Sequence, residues 1–340
     1  MTTLKVSELS SDRPPNKIGQ RADIWSRYWA AGAQHSCAGS FGPHYEGAIG
    51  RWWQQVFEGL GADQRVLDLA TGSGAVLQLA LKHCKSQAVR LDGVDVGQVA
   101  PTWKEALPAD QRARVQIHAG VSTESLPFGD QAFDLATSQF GIEYTNLDRS
   151  LAEVRRVLRS GGSLRCVLHH ANSQSVHLAR AEVDHIRWLL APSGLLETAE
   201  QLCEPFSRSF TPKGRAELAQ SQSANALRQR FNVLQDERTR LATASPCPDV
   251  LHEASDAVNK TLHAATEQGV LPAQAVAQGF AQRLRDSAFR LSDLIEHAIS
   301  VQALADLQQK LHTLGFAVTT GELADASRLM GWWLKADLPG

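Results

Sequence analysis

Apolar positions change their period along the chain. From Arg65 to His170, short apolar runs alternate with amphipathic stretches. The runs "RVLDLA", "VRLDGVDV", "RVQIHAG", "FDLATSQF" and "SLRCVLHH" each predict a strand. Between them, "GAVLQLALKHC", the stretch around "PTWKEAL" and "NLDRSLAEVRRVLRSGG" predict helices, the last closed by Gly161 and Gly162. Strands this apolar, separated by helices, indicate a parallel sheet covered on both faces.

On either side the period is helical. "RADIWSRYWAAGAQHSCAG" sets Trp25, Tyr28 and Trp29 on one helix face, and "PHYEGAIGRWWQQVFEGL" predicts a second helix from Pro43 to near Gly59 and Gly61. Residues 172–314 carry helical stripes: Val176, Ala179, Val183, Ile186 and Leu190; Leu227, Phe231, Leu234 and Leu241; Leu251, Ala254, Val258 and Leu262; Leu284, Ala288, Leu291 and Ile295. After Gly315 the pattern returns to strands. Phe316, Val318 and Thr320 alternate, and "LMGWWLKADL" completes an antiparallel hairpin.

The expected organisation is therefore a loose polar tail over residues 1–20 with Pro14 and Pro15, two helices over 21–61, an α/β core over 62–171, a helical insertion over 172–314, and a terminal hairpin over 315–340 that completes the core sheet. An insertion of this length exceeds what a sheet connection needs and suits a substrate lid, a dimer surface, or both. The fold class is α/β: a Rossmann-like, seven-stranded, mostly parallel sheet with an antiparallel last strand and a large all-helical insertion between strands 5 and 6.

Composition narrows the function classes. Hydrophobic residues at 43% and charged residues at 21% are those of a soluble globular protein. A net charge of −2 gives no electrostatic reason to expect nucleic acid or an anionic membrane as partner. No apolar run reaches transmembrane length, and the first residues lack a signal-peptide core. The five cysteines are odd in number and without a C-x-x-C pair, as expected of reduced thiols in the cytoplasm.

The chemistry concentrates at "VLDLATGSG". Gly72 and Gly74 let backbone approach a ligand that a Cβ would repel, and the helix beginning there adds its positive end. A dinucleotide fingerprint fails because its last glycine position holds Leu77, and no Walker lysine follows. Asp68 lies inside the first strand and needs a donor or cation there. Asp95 ends the second strand, where an acid accepts hydrogen bonds from both hydroxyls of a ribose.

With "VLDLATGSG", "GVDV", "ESLPFGDQAFDLATSQFGIEY" and "LAEVRRVLRSGGSL" in this order, the chain resembles the class I S-adenosylmethionine-dependent methyltransferases, close to the small-molecule branch of the UbiE type. The resemblance covers roughly residues 62–170 and the terminal strand pair. It implies S-adenosyl-L-methionine as cofactor and the N-terminal helices as a cover over its site. Asp68, Ala70, Gly72 and Gly74 would surround the methionine part, Asp95 the ribose, with Val96 flat on adenine. Val121 and Ser122 would edge the adenine amine, and Ser138 and Gln139 would line the sulfonium end. Ala70 stands where the family often has its first glycine, and Ser122 where many members have Asp or Asn.

Candidate catalytic residues are His169 and His170, which end the fifth strand, and Glu143 and Tyr144, which follow the fourth where the family contacts substrate. Alternation along the strand leaves only one of the two histidines facing the crevice. The face of Trp25, Tyr28 and Trp29 suits a lid or plain packing; His35, Ser36 and Cys37 are loop residues without an assigned role. No metal is expected, because Ser138 and Gln139 stand where a magnesium site would want carboxylates. A nucleic-acid [N/D/S]-P-P-[Y/F] turn is absent from "SQFGIEY", and of the acid pair of protein arginine methylation only Glu143 is present. The expected reaction is methyl transfer (EC 2.1.1.-) to an O, N or C atom of a small, lipophilic or aromatic metabolite. The alternatives are a cofactor-binding scaffold without chemistry and an RNA or protein methyltransferase. A homodimer through the insertion is a further expectation.

Overall fold

The computed structural model describes residues 17–35, 45–326 and 328–340. The tail through residue 16, Ser36, Cys37 and the expected helix start at Pro43 lie outside the described residues. In chain order the elements are α1 (Lys17–Ala30), α2 (Gly47–Glu58), β1 (Arg65–Leu69), α3 (Ala75–His83), β2 (Arg90–Asp95), α4 (Thr102–Glu105), α5 (Ala109–Ala113), β3 (Val115–Ala119), β4 (Phe133–Gln139), a 3-10 turn (Ile142–Tyr144), α6 (Leu147–Val157) and β5 (Leu158–Leu168). Helices α7 (Gln174–Leu189), α8 (Leu195–Gln201), α9 (Cys203–Arg208), α10 (Pro212–Gln220), α11 (Gln222–Ala244), α12 (Asp249–Gln268), α13 (Val270–His297) and α14 (Val301–Thr313) follow. Strands β6 (Ala317–Asp325) and β7 (Arg328–Asp337) close the chain.

The sheet has seven strands in the order β3-β2-β1-β4-β5-β7-β6. β1 pairs parallel with β2 and β4, while β7 runs antiparallel to both β5 and β6. The order reverses at β1 and β4, and ligands bind such sheets in the crevice outside the strand ends at that switch. The strands read as near-continuous apolar runs because both faces are covered. One face packs α2 and α3 through Trp53, Phe57 and Leu77; the other packs α6 and α14 through Leu151, Val154 and Leu307.

One boundary differs from the pattern-based expectation. Gly161 and Gly162 do not close the helix; α6 ends at Val157, and both glycines lie inside β5. Leu158 is fully buried and already pairs with Phe133, so tertiary pairing takes over from helix periodicity there. The register then shifts between Phe133 and Leu135, and Gly161 (φ +72°) donates its N–H to Pro339 O. The glycines serve a bulge rather than a stop. The stretch around "PTWKEAL" forms only the single turn of α4, and α5 follows as a separate short helix.

The segment between β5 and β6 is helical, as its stripes predict. Leu251, Ala254 and Val258 on α12, Ile186 and Leu189 on α7 and Phe280 and Leu284 on α13 share a core of their own. Leu227, Phe231, Leu234 and Leu241 on α11 pack against it only partly buried. Among the described residues no helix is long and apolar enough to cross a membrane.

Candidate active site

A cavity opens at the carboxyl ends of β1, β2 and β4. Two neighbouring strands leave the sheet there in a left-handed conformation without glycine: Ala70 (φ +52°) after β1 and Phe140 (φ +51°) after β4. Each costs about 1–2 kcal/mol relative to right-handed backbone. Both line the cavity, so the strain sits at the site it shapes. Gly72 (φ +53°) continues the turn, and a Cβ on it would meet the Trp29 ring at 2.6 Å.

The turn's amides are already engaged. Gly72 N–H donates to Asp95 Oδ2 at 2.8 Å, and Gly74 N–H to Thr71 O at 2.9 Å. Neither N–H is therefore free for a ligand, and Gly72 offers the cavity bare backbone surface. Gly74 (φ +82°) is not on the cavity wall; its missing Cβ makes room for Trp103, whose indole donates to Ser73 O at 2.6 Å.

Two buried carboxylates face the cavity. Burial pushes Asp68 up to about 7 against the hydroxyl bonds of Thr71 and Thr137, and Asp95 raises it further. Thr137 Oγ1 donates to Asp68 Oδ1 at 2.8 Å, as the register pairing of the two residues across β1 and β4 places it. Burial likewise lifts Asp95 to about 6, opposed by the N–H groups of Gly97 and Gly72. Gly97 N–H donates to Asp95 Oδ1 at 2.8 Å, so each oxygen holds one backbone bond and keeps a lone pair for a ligand. The groups acting on Asp68 are two hydroxyls and Asp95, and those acting on Asp95 are two backbone amides, with no cation among them in the described residues.

Of the other residues expected at the cofactor, Val96, Ser122 and Gln139 line the cavity with Ala70 and Gly72. Val121 and Ser138 do not. Val121 N–H bonds Asp95 O at 2.8 Å, and its side chain packs into the core. Ser138 Oγ donates to Leu69 O at 3.1 Å and accepts from Ile142 N at 3.0 Å, tying the end of β1 to the turn after β4.

Among the four candidate catalytic residues, Tyr144 lines the cavity, and His169, His170 and Glu143 do not. Strand alternation does send the histidines to different surroundings, but both are filled by protein. His169 is fully buried, stacked on Phe140 at 4.2 Å, and shares its Nδ1 with Glu143 Oε1 at 2.9 Å. The same oxygen accepts the His169 backbone N–H at 3.0 Å. The Tyr144 hydroxyl lies 3.5 Å from His169 Nδ1. His170 stacks on Trp332 at 4.2 Å and accepts Asn172 N–H on Nδ1; burial lowers its pKa despite Glu322 nearby.

The cavity wall holds residues that sequence reasoning passed over. Trp25 and Trp29 stack at 5.4 Å and reach the cavity from α1, as the lid reading of that face allowed. Arg21, one turn before Trp25, does so too, and was missed. It forms a bidentate pair with Asp293 on α13 (2.7 Å to each oxygen) and donates to Tyr144 O at 2.6 Å. Arg27, six residues further along α1, pairs with Asp286 on α13. Helix α1 is thus clipped to the insertion across the cavity. The available signal was an arginine at helical spacing from two tryptophans; its partners Tyr144 and Asp293 lie 123 and 272 residues on and leave no local mark. Among the described residues, Asp293, Glu296 and His297 cluster closely enough for a metal, but Arg21 and His297 already engage both Asp293 oxygens.

Comparison with known proteins gives the following. Residues 66–162 match the family model described as "Methyltransferase domain". The ubiquinone/menaquinone biosynthesis C-methyltransferase UbiE of Xanthomonas campestris pv. campestris is 33% identical over 122 residues, covering 34% of this chain and 48% of that protein. The UbiE protein of Dinoroseobacter shibae is 38% identical over 106 residues, covering 30% of this chain and 41% of that protein. The chain spans less than half the length of these curated relatives. Among solved structures, the cyclase SpnF aligns over 95% of both chains at 17% identity with a TM-score of 0.41. The similarity to methyltransferases is thus carried by the core of the chain, residues 66–162.

Proposed function

We propose that the chain transfers a methyl group from S-adenosylmethionine to an O, N or C atom of a small, flat, largely apolar molecule. The observation that carries this is the pair of buried acids, Asp68 and Asp95, facing an aromatic cavity without a cation of their own. A cationic nucleoside supplies what each lacks. Asp95 would accept the ribose hydroxyls, Val96 would lie against adenine, and Asp68 would face the positively charged end. Ala70 and Gly72 would give close backbone approach.

When bound, the cofactor supplies a methyl group on positive sulfur, open to in-line attack. The chain's part is placement and exclusion of water. Trp25, Trp29, Tyr45 and Phe140 make a wall that favours dispersal of charge in the transition state. Holding two reactants at near-attack distance contributes about 7–11 kcal/mol. Tyr144 adds a hydroxyl to that wall, with His169 and its partner Glu143 behind it. The names of the UbiE relatives favour a carbon acceptor.

Calorimetry with S-adenosylhomocysteine, and labelled methyl transfer across a metabolite panel, test the proposal. Saturable binding and a labelled product are expected. No binding at millimolar nucleoside, with uptake of a nicotinamide or flavin instead, overturns it. A second reading, binding without methyl transfer, is favoured by one observation: both histidines at the end of β5 are turned into protein. Tight binding with no product from any acceptor would support it.

A further inference from the structure

Helix α1 lies across the mouth of the cavity. Ser26 Oγ accepts Gln98 N–H at 2.8 Å just beyond β2, and Arg21 donates to Tyr144 O at 2.6 Å beyond β4. Trp29 lies over the glycine turn, its ring in the place of a Gly72 Cβ. Little apolar burial holds the helix there: of residues 19–30, only Ile24 is buried. A helix so placed can lift without opening a core, so its local stability lies at the low end.

Charge holds it instead, and the charge comes from the insertion. Arg27 Nε and Nη2 donate to the two Asp286 oxygens at 2.8 and 2.9 Å, and Arg21 pairs with Asp293 in the same way. Between the two acids, the Arg290 guanidinium stands 4.0 Å over the Tyr28 ring. Asp286, Arg290 and Asp293 recur at helical spacing and form one stripe of α13. Each of these contacts is electrostatic, and the Arg27 side chain is 53% exposed, so salt reaches the outer pair. Neither Arg27 nor Asp286 lines the cavity.

We infer that α1 is the gate of the cavity and that the insertion carries its latch: release of the Arg27–Asp286 and Arg21–Asp293 pairs from α13 lets the nucleoside enter and leave. The choice of nucleoside rests on the methyltransferase reading above; the latch does not. The two pairs give the insertion a part in cofactor exchange.

Stopped-flow tryptophan fluorescence of the full chain with S-adenosylhomocysteine tests the gate. A latch that closes the free and the occupied site alike slows passage both ways. Asp286→Asn should therefore speed association and dissociation by about fivefold each, the worth of one partly exposed pair, and leave the Kd within about twofold. Arg27→Gln should match it, and the double variant should add nothing to either single change, because all three remove one pair. Raising salt from about 0.05 to about 0.5 M should speed exchange in the wild type and less in the variants. Unchanged rates overturn the inference. So does faster dissociation alone, which would assign α1 to gripping the ligand rather than admitting it. Hydrogen exchange in the ligand-free protein reads the latch without the nucleoside: the α1 amides should exchange about fivefold faster in Asp286→Asn. If no nucleoside binds, the methyltransferase reading fails while faster α1 exchange still supports the latch. Unchanged α1 exchange overturns the latch whatever binds.

Discussion

β1 and β5 flank β4 in one parallel sheet, and both carry ionisable side chains to the same edge. Their fates differ. On β1, Asp68 meets two hydroxyls and another acid, and its carboxyl is lifted to about 7 on an open cavity. After β5, His169 is enclosed by Phe140 and Glu143, and His170 by Trp332 and Asn172. Topology says where a ligand can sit. Whether a group there serves the ligand depends on what the protein has already given it as a partner.

The largest expected effect lies on the β5 side. Glu143→Ala leaves both buried His169 nitrogens without the oxygen they share, and at about 1–3 kcal/mol for each unsatisfied group this should lower unfolding free energy by about 2–4 kcal/mol. Denaturant unfolding checks this, with nucleoside affinity measured on the folded fraction and expected to hold. Unchanged stability with turnover abolished would break the comparison and return His169 to the chemistry.

The β1 and β2 acids should show the reverse pattern. Asp95→Asn removes charge-assisted bonds to Gly72 and Gly97 as well as the ribose acceptor. Losing about 2 kcal/mol of binding, the worth of one such bond, weakens S-adenosylhomocysteine about 30-fold in calorimetry. Asp68→Asn should weaken binding by less, about tenfold, and at pH 8 should leave the free protein as stable or more so. There the native carboxylate is charged and buried without a cation, so neutralising it relieves a burial cost. Destabilisation at pH 8 would show that Asp68 has a structural partner instead.

A milder version of the same contrast is set by pH. Asp95 at about 6 and Asp68 at about 7 are protonated in the free protein below those values, and the nucleoside wants them charged. Affinity should therefore fall by about tenfold from pH 7.5 to about 6.2, with protons released on binding. Stability of the free protein runs the other way. A carboxyl whose folded pKa exceeds the unfolded value of about 3.9 makes the fold bind more protons, so its contribution declines as pH rises from about 4 to 7. Calorimetry in buffers of different ionisation heat resolves the proton count, and pH-independent binding would remove the acids from the site.

The order of strands and helices, the glycine turn and Asp95 were legible because each leaves a local mark. Apolar runs set the strands, and an acid at a strand end is a position that can be counted. The α6–β5 boundary was not, because pairing of Leu158 with Phe133 overrides a helical pattern that runs on through Arg159. The histidine surroundings and the Arg21–Asp293 clip depend on side chains brought together from distant segments, which no periodicity records. The hydrogen bond from the Trp53 indole to Gln139 belongs to the same class, since it joins residues 86 apart in sequence.

The smallest expected effect tests whether backbone strain belongs to the site or to the chain. Ala70 and Phe140 share the same left-handed conformation. Ala70→Gly removes about 1–2 kcal/mol of strain. It returns about 0.5–1 kcal/mol through the greater freedom of glycine in the unfolded chain. The net gain should be about 0.5–1 kcal/mol in denaturant unfolding, with nucleoside affinity kept. Phe140→Gly relieves the same torsion but deletes the ring stacked on His169 and facing Tyr45, so it should destabilise and enlarge the cavity. Equal effects would mean that torsion alone governs both turns. Opposite signs would show that Phe140 is kept in a costly conformation because its side chain closes the histidine away from the ligand, which is the difference between the two strand ends.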